Sequence, residues 1–191
     1  MKKASILFLA LTLSFFTCKN DKKNTVNPED KTVVKEEKTV KPKKLKIALQ
    51  AKSNSNVSGN AVFNEENGTV TLTAIIEGLK PGTHAIHIHE KADCTSDDGT
   101  SAGGYWNPTA QPHGKWGDAT GYHKGDIGNF TADANGNGTV TFSTDQWCIG
   151  CEDNTKNIIG KSLIVHAGAD DFTSQPSGAA GARVSCAGII E

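Results

Sequence analysis

Histidine spacing is the feature of this 191-residue sequence that points most directly to chemistry. His87 and His89 lie two residues apart in an alternating apolar segment, so both imidazoles should leave the same face of a strand. His166 ends a second segment of this kind, residues 163–166. Three neutral imidazoles on rigid strands suit copper or zinc and are poor ligands for magnesium or calcium. These three residues are therefore predicted to bind one transition-metal ion.

A second group of candidate ligands follows in a long irregular segment. It consists of His113, then His123 and Asp126 three residues apart, and two nitrogens with a carboxylate fit zinc. A single strand histidine is more often a packed or surface residue than a ligand, but the two groups together favour metal binding. His84 lies three residues before His87 and should point to the opposite face, so we expect a structural role for it.

The elements that must position these residues are strands. Period-two alternation recurs along the chain, helical periodicity is scarce, and turn signals such as Asn67-Gly68 and Pro81-Gly82 separate the segments. The predicted strands are residues 45–49, 57–63, 69–75, 83–89, 127–132, 139–142, 158–166 and 183–190. This pattern predicts an all-β fold, an eight-stranded antiparallel Greek-key β-barrel or sandwich.

Three connections, residues 90–125, 144–157 and 167–182, are too long for simple hairpins. Long connections in a compact domain are usually functional or disordered. The first of them contains His113 and His123, which favours a functional, metal-binding loop.

Five segments, taken in order, resemble the copper/zinc superoxide dismutase family. They are GTHAIHIHE (82–90), SAGGYWNP (101–108), HKGDIGN (123–129), VHAGADD (165–171) and GAAGARVSC (178–186). The resemblance covers residues 45–191 and implies a barrel with long metal-binding and electrostatic loops.

The resemblance also implies roles for individual residues, with one copper and one zinc per subunit. Copper would be bound by His87, His89 and His166, and zinc by His113, His123 and Asp126. Asp170 falls where the family has a carboxylate that joins ligands of the two metals by hydrogen bonds. Arg183 matches the guanidinium beside copper that attracts the superoxide anion, with a surface salt bridge as the alternative.

The metal site departs from the family pattern at Tyr105. Between Gly104 and Trp106 the family has a histidine whose deprotonated ring bridges copper and zinc. An imidazolate offers two opposed nitrogens, whereas a phenolate offers one oxygen and the ordinary pKa of tyrosine is about 10. Three outcomes stay open: Tyr105 turns away from both metals, it ligates one metal as phenolate, or zinc is lost.

The implied activity is that of a superoxide dismutase, which converts superoxide to oxygen and hydrogen peroxide by Cu(II)/Cu(I) cycling. Without the bridging imidazole to supply a proton, we expect slower turnover than the near-diffusional rates known for this enzyme class. One alternative is a cell-envelope protein that binds or buffers copper with little or no dismutase activity. Another is an inert β-scaffold. The full copper set disfavours the scaffold, and Arg183 favours the enzyme over the buffer.

Four cysteines fall in the predicted domain. Cys94 and Cys186 match the disulfide of the family. Cys148 and Cys151 have the spacing of a redox motif, but they lie in a loop followed by two acidic residues. A small local disulfide is favoured there, with a redox or auxiliary metal role as the alternative.

The N-terminal region predicts export and anchoring. Residues 1–18 have the pattern of a lipoprotein signal peptide, in which an apolar run too short to span a bilayer ends at Cys18, the predicted lipid acceptor. Thr17 departs from the small residue usual before that cysteine, and ordinary secretion is the alternative. Residues 19–44 are rich in lysine and lack aromatics, so they are predicted to be a disordered tether.

The composition of the predicted domain restricts its partners. Residues 45–191 contain nine Lys and Arg against sixteen Asp and Glu, a net charge of −7, and no basic face that would bind nucleic acid. We expect a protein of the cell envelope, in the periplasm or at the cell surface, held to the lipid membrane through acylated Cys18. The sequence leaves a homodimer open.

Overall fold

The computed structural model describes residues 41–191. Within this range the backbone forms eight strands and one short 3₁₀ helix. The elements are β1 (Lys43–Ala51), β2 (Ser58–Glu66), β3 (Thr69–Glu77), β4 (Gly82–His89), η1 (Thr100–Ala102), β5 (Gly128–Ala132), β6 (Gly138–Thr144), β7 (Lys161–His166) and β8 (Arg183–Ile189). No helix in this part of the chain is long and apolar enough to cross a membrane.

The strands close into a barrel. Their order around it is β1-β2-β3-β6-β5-β4-β7-β8, and β8 pairs back onto β1. All neighbouring pairs are antiparallel, with crossovers that make β3 a neighbour of β6 and β4 a neighbour of β7. The predicted eight-stranded antiparallel Greek-key barrel is confirmed. Closure is least complete between β5 and β6, which pair only at Ala132 and Gly138, and between β1 and β8, which pair at two positions.

The strands begin and end up to three residues from their predicted bounds, and two of these differences have a clear physical reason. β1 begins at Lys43, which pairs with Glu65 on β2, so the predicted tether ends before residue 44. Exposed lysines gave no apolar alternation there to mark the start of the strand. β7 begins three residues later than predicted, because Ile158 is buried from a loop and Gly160 makes a turn with φ of 83°. The predicted signal peptide and Cys18 lie outside the described residues.

The barrel separates the apolar side chains of β4 from its predicted metal ligands. Ile86 and Ile88 belong to the hydrophobic core. The alternate residues, His87 and His89, leave the other face of the strand and are also fully buried, because the long connections cover them. β7 repeats the arrangement, with Val165 in the core. The histidines therefore lie outside the apolar core, between the barrel wall and its loops.

Disulfides tie two of the loops down. Cys94, in the β4–β5 connection, bonds to Cys186 on β8 across a sequence separation of 92. Cys148 bonds to Cys151 within the β6–β7 connection. The first bond fixes the loop that follows β4, and the second closes a local turn.

Candidate metal centre

The first donor group combines neighbouring strands. β4 and β7 are paired, with His87 opposite Ile164, and His166 lies opposite Arg183 in the β7–β8 ladder. The Nε2 atoms of His89 and His166 are 3.4 Å apart, and the rings of His87 and His166 meet edge to face with centroids 5.0 Å apart. The structure thus brings the three imidazoles predicted to hold copper together.

Hydrogen bonds orient each of these rings. One nitrogen of each ring donates a hydrogen bond. His89 Nδ1 donates to the Gly103 carbonyl (3.0 Å) and His166 Nδ1 to the Gly181 carbonyl (3.2 Å), while His87 Nε2 donates to the Asp170 carboxylate (2.9 Å). Because a neutral imidazole has one N–H, the second nitrogen of each ring is left as a lone-pair donor. In His87 that atom, Nδ1, is buried without any hydrogen-bond partner.

Burial keeps this group uncharged. It lowers the pKa of His87, against the opposing effect of Asp170, and it lowers the pKa of His89 well below its ordinary value. Burial, reinforced by the neighbouring His87, lowers the pKa of His166 to about 3. Desolvation disfavours the charged form of an imidazole, so all three are neutral near pH 7. Neutral imidazole is the form that binds a metal.

The second donor group is more compact. His113, His123 and Asp126 are buried, and each offers one donor atom within 4.8 Å of the others. Among residues 41–191 no other three such donors approach so closely, and the first group is spaced more widely. His113 Nδ1, His123 Nδ1 and Asp126 Oδ1 make no well-formed hydrogen bond and face one another instead, with His113 Nδ1 3.1 Å from Asp126 Oδ2 and His123 Nδ1 3.3 Å from Asp126 Oδ1.

Buried polar atoms without partners cost about 1–3 kcal/mol each. One ion would satisfy the three atoms of the second group together, and two imidazoles with a carboxylate are a donor set that suits zinc. The residues present therefore fit a zinc ion on chemical grounds. The first group, made of imidazoles alone, fits copper.

Charge is balanced locally around His113. Burial opposes its charged form, but the carboxylates of Asp126 and Asp170 outweigh burial and raise the pKa of His113 to about 9. Burial likewise opposes ionisation of Asp126, while His113 and His123 lower its pKa to about 2. Backbone N–H groups of Gly114 and His123 also donate to Asp126 Oδ2, at 3.2 and 2.8 Å. The carboxylate of Asp126 is thus held in its ionised form.

Asp170 connects the two groups. Its Oδ2 accepts from His87 Nε2 and its Oδ1 from His113 Nε2, each at 2.9 Å. Burial opposes its ionisation, yet the two histidines hold its pKa well below the usual range. The main chain of Asp170 is fixed by both side-chain amide atoms of Asn129, at 2.8 Å each. One carboxylate therefore orients a ring from each donor group.

Tyr105 lies between the two groups. Its ring stacks on His87 with centroids 4.1 Å apart and a 28° interplanar angle, and it meets His89 edge-on at 4.8 Å. Its centroid is 6.0 Å from that of His123. The hydroxyl donates to the Ser177 carbonyl at 3.0 Å. The ring therefore stays within the site, while the oxygen is directed to the loop after β7.

The phenol of Tyr105 is held neutral. Burial raises its pKa, and the nearby carboxylates of Asp170 and Asp126 raise it further, against a smaller opposing effect of Arg183. Desolvation and like charge both disfavour a phenolate. In this environment Tyr105 is a hydrogen-bond donor rather than an anion.

Arg183 stands at the opening of the site. Its Nη1 and Nη2 atoms donate to the carbonyls of Gly99 and Gly103, both at 2.7 Å. It lines a cavity of about 390 Å³ together with Tyr105, His123 and His166. A larger cavity, about 470 Å³, lies beside His84 and is lined by none of the six donor residues. Among the cavities described within residues 41–191, only the one at Arg183 is lined by residues of both donor groups.

His84 takes no part in the cluster. It leaves β4 on the face opposite His87, and its nitrogens lie 2.9 Å from the His166 carbonyl and 2.7 Å from the Lys80 carbonyl. This placement matches the structural role predicted for it. By bonding the main chain of His166, it fixes the end of β7.

Several positioning groups gave no recognisable signal in the sequence. The Gln175 side chain accepts from the His113 N–H at 2.9 Å and donates to the His113 carbonyl at 2.8 Å. The Gly103, Gly181 and Ser177 carbonyls act through the main chain, which every residue possesses. Asn129 is the exception, because it is the last residue of the recognised motif at residues 123–129 and its amide holds the main chain of Asp170.

A closed barrel that carries two adjoining imidazole-rich donor groups is the architecture of a metalloprotein. A family model for copper/zinc superoxide dismutase (SODC) matches residues 57–189. The chain is 35% identical over 154 residues to the extracellular superoxide dismutase [Cu-Zn] of Brugia pahangi. The matched region covers 75% of this chain and 74% of that relative. The chain belongs to the copper/zinc superoxide dismutase family, as its motifs predicted.

Solved structures show the same fold. One is a SOD-like protein from Bacillus subtilis, a double mutant in which a tyrosine and a proline are each replaced by histidine. It is 30% identical, with a TM-score of 0.69 over 76% of this chain and 97% of that chain. Another is described as the clock protein EA4, with 31% identity and a TM-score of 0.67 over 78% of this chain and 96% of that chain.

Proposed function

We propose that this protein is a superoxide dismutase that binds copper through His87, His89 and His166. One observation carries the proposal: three buried, neutral imidazoles with fixed tautomers lie beside an arginine-lined cavity. Zinc is assigned to His113, His123 and Asp126, whose unpartnered donor atoms a single ion would satisfy.

The residues of the chain would bind the metal, orient its ligands and set the charge around it. Copper bound by these residues would supply the one-electron couple, Cu(II)/Cu(I), for the conversion of two superoxide ions and two protons to oxygen and hydrogen peroxide. The low pKa of His166, about 3, means that no proton competes with the metal there near neutral pH. Arg183, fixed by two carbonyls at 2.7 Å, offers the positive charge that draws an anion into the cavity.

Tyr105 should lower the efficiency of dismutation. A bridging imidazolate can contact two metals and can accept and return a proton. The Tyr105 hydroxyl donates to Ser177 and its pKa is raised, so it supplies neither function. Of the three outcomes for this residue, the geometry favours a side chain that ligates neither metal, although the ring does not leave the site. Water then has to deliver the protons.

The substitution at Tyr105 also favours a second candidate function, copper buffering. If the missing proton relay at Tyr105 slows turnover severely, the protein binds and buffers copper without useful dismutation. The two functions share the copper residues and differ in rate alone.

Metal analysis combined with superoxide decay separates these functions. The protein, loaded with copper and zinc, is compared with Tyr105→His and with Tyr122→His, which adds a histidine at the chain's other tyrosine, outside the site. We expect about one copper per chain, measurable dismutation, a several-fold gain in Tyr105→His and no gain in Tyr122→His. Full copper loading with zero activity would leave the buffering function. Absence of copper binding would reject both.

Export and membrane anchoring are proposed for the full chain. The domain contains two disulfides, which persist in oxidising compartments, and the Brugia pahangi relative is named extracellular. The anchor itself would be the acylated Cys18. A Cys18→Ser variant should move from the membrane fraction to the soluble fraction and lose incorporation of labelled fatty acid; retention in the membrane would reject this role for Cys18.

A further inference from the structure

The zinc group has three protein donors where a closed zinc site has four. Structural zinc ions are surrounded by four protein ligands, while sites with three keep a position for water or another small ligand. Within residues 41–191 no further His, Cys, Asp or Glu donor joins His113, His123 and Asp126 at 4.8 Å. The nearest phenol, that of Tyr105, is hydrogen-bonded to Ser177 instead. A fourth ligand must therefore come from outside residues 41–191.

The cavity beside Tyr105 reaches this group. His123 is one of its lining residues, so the second donor group meets the same 390 Å³ space that borders His166 and Arg183. The space holds an ion of a few atoms. The Tyr105 ring, rather than a bridging imidazole, lies between the two groups, so no side-chain donor closes the zinc position on the side of this cavity.

The residues that line this cavity favour a ligand of negative charge. Arg183 is its cation, and its lining, as far as residues 41–191 describe it, includes no acidic side chain. A Zn²⁺ ion with Asp126 as its one anionic ligand keeps a positive charge, and a bound cation is often the largest local charge in a site. A small anion is therefore favoured over a neutral or cationic ligand.

We propose that the zinc position is an open, anion-accepting site, completed by a small monovalent anion that enters through the cavity shared with Arg183, or by water when no such anion is present. The inference rests on the zinc assignment made under the proposed function. Tyrosine at position 105, in place of a bridging histidine, would thus convert a closed zinc site into one whose fourth ligand can exchange.

Cobalt provides the test, because Co(II) in the zinc position has a visible d–d spectrum that reports its coordination. The protein is loaded anaerobically with Cu(I), which is spectroscopically silent and fills the copper position, and with one equivalent of Co(II). Azide is then titrated into the wild-type protein, Tyr105→Phe and Tyr105→His.

We expect saturable azide-dependent spectral changes of equal affinity in the wild type and Tyr105→Phe, because the phenol oxygen is not a ligand. In Tyr105→His the imidazole should fill the open position and weaken azide binding about tenfold or more. A Co(II) spectrum that azide leaves unchanged would overturn the inference alone. So would an azide-free spectrum altered by Tyr105→Phe, since that makes the phenol the fourth ligand. Failure of Co(II) to bind at all would reject the zinc assignment as well.

Discussion

His113 lies between two carboxylates, and this position makes the stability of the metal-free centre depend on pH. Its pKa is raised from about 6.5 to about 9, so the stabilisation from its charged form is complete below pH 6.5 and is lost as the pH rises through 9. The pKa of His166 is lowered to about 3, so the unfolded chain binds more protons below pH 6.5 and stability falls as the medium becomes more acidic.

The metal-free protein should consequently be most stable near pH 6.5. Between pH 6.5 and 9 the loss attributable to His113 should be on the order of 3 kcal/mol. Urea unfolding midpoints of the chelator-treated protein across this range measure it. His113→Gln should lack the alkaline decline, and so should the zinc-loaded protein, because an ion replaces the proton. An alkaline decline of the same size in His113→Gln would contradict the assignment.

Asp170 contacts a ring of each donor group, at 2.9 Å in both cases, so its removal should affect both metals. Asp170→Asn keeps the size of the side chain, but its amide nitrogen cannot accept from an imidazole N–H. Loss of a carboxylate that orients a ligating histidine typically lowers metal affinity about 10–100-fold. Competition with chelators should show weaker copper and zinc binding together. Asp145→Asn, which removes an exposed charge elsewhere, is the control; weakening of one metal alone would refute the shared role.

At the scale of strands and loops, the disulfide between Cys94 and Cys186 should contribute more to stability than the one between Cys148 and Cys151. Sequence separations of 92 and 3 correspond, in the chain-entropy account, to about 4–5 and about 2 kcal/mol. The longer bond also anchors the loop whose Gly99 and Gly103 carbonyls hold Arg183.

Replacing both cysteines of the Cys94–Cys186 bond by serine should lower the free energy of unfolding by about 4 kcal/mol and also slow superoxide decay. The matched replacement of Cys148 and Cys151 should lower stability by about half as much and leave the decay rate unchanged. Denaturant unfolding and stopped-flow decay measure the two effects. Equal losses in the two variants would show that loop length does not govern stability here.

The strands were predictable from sequence because each buries one face, and burial of one face enforces period-two alternation. Where that condition fails, prediction failed: the exposed Lys43 extends β1, and the buried Ile158 precedes β7. The ligand candidates were visible because imidazole and carboxylate are rare enough in such spacing to stand out. The direction of the Tyr105 hydroxyl depends on where the Ser177 carbonyl lies, and no local pattern encodes that position.

For the whole molecule, long-range charge and local charge act in opposite directions on an anionic substrate. The folded part, residues 43–191, contains eleven Lys and Arg against sixteen Asp and Glu. This net charge of −5 before metals would repel the proposed superoxide substrate, while Arg183 would attract it at the cavity. Salt screens charges over a Debye length of about 10 Å at 0.1 M. The dependence of the rate on ionic strength therefore reports which of the two fields the substrate meets.

Arg183→Gln should lower the rate constant for superoxide decay about tenfold or more, with copper content unchanged. Its rate should then rise with ionic strength, because screening relieves a field that has become purely repulsive. The wild-type rate should rise less or fall, since screening also weakens the attraction of Arg183. Lys115→Gln removes the same charge from an exposed position and should keep the wild-type salt dependence. If it shifts that dependence as much as Arg183→Gln does, net charge alone governs the approach of the substrate, and Arg183 has no guiding role.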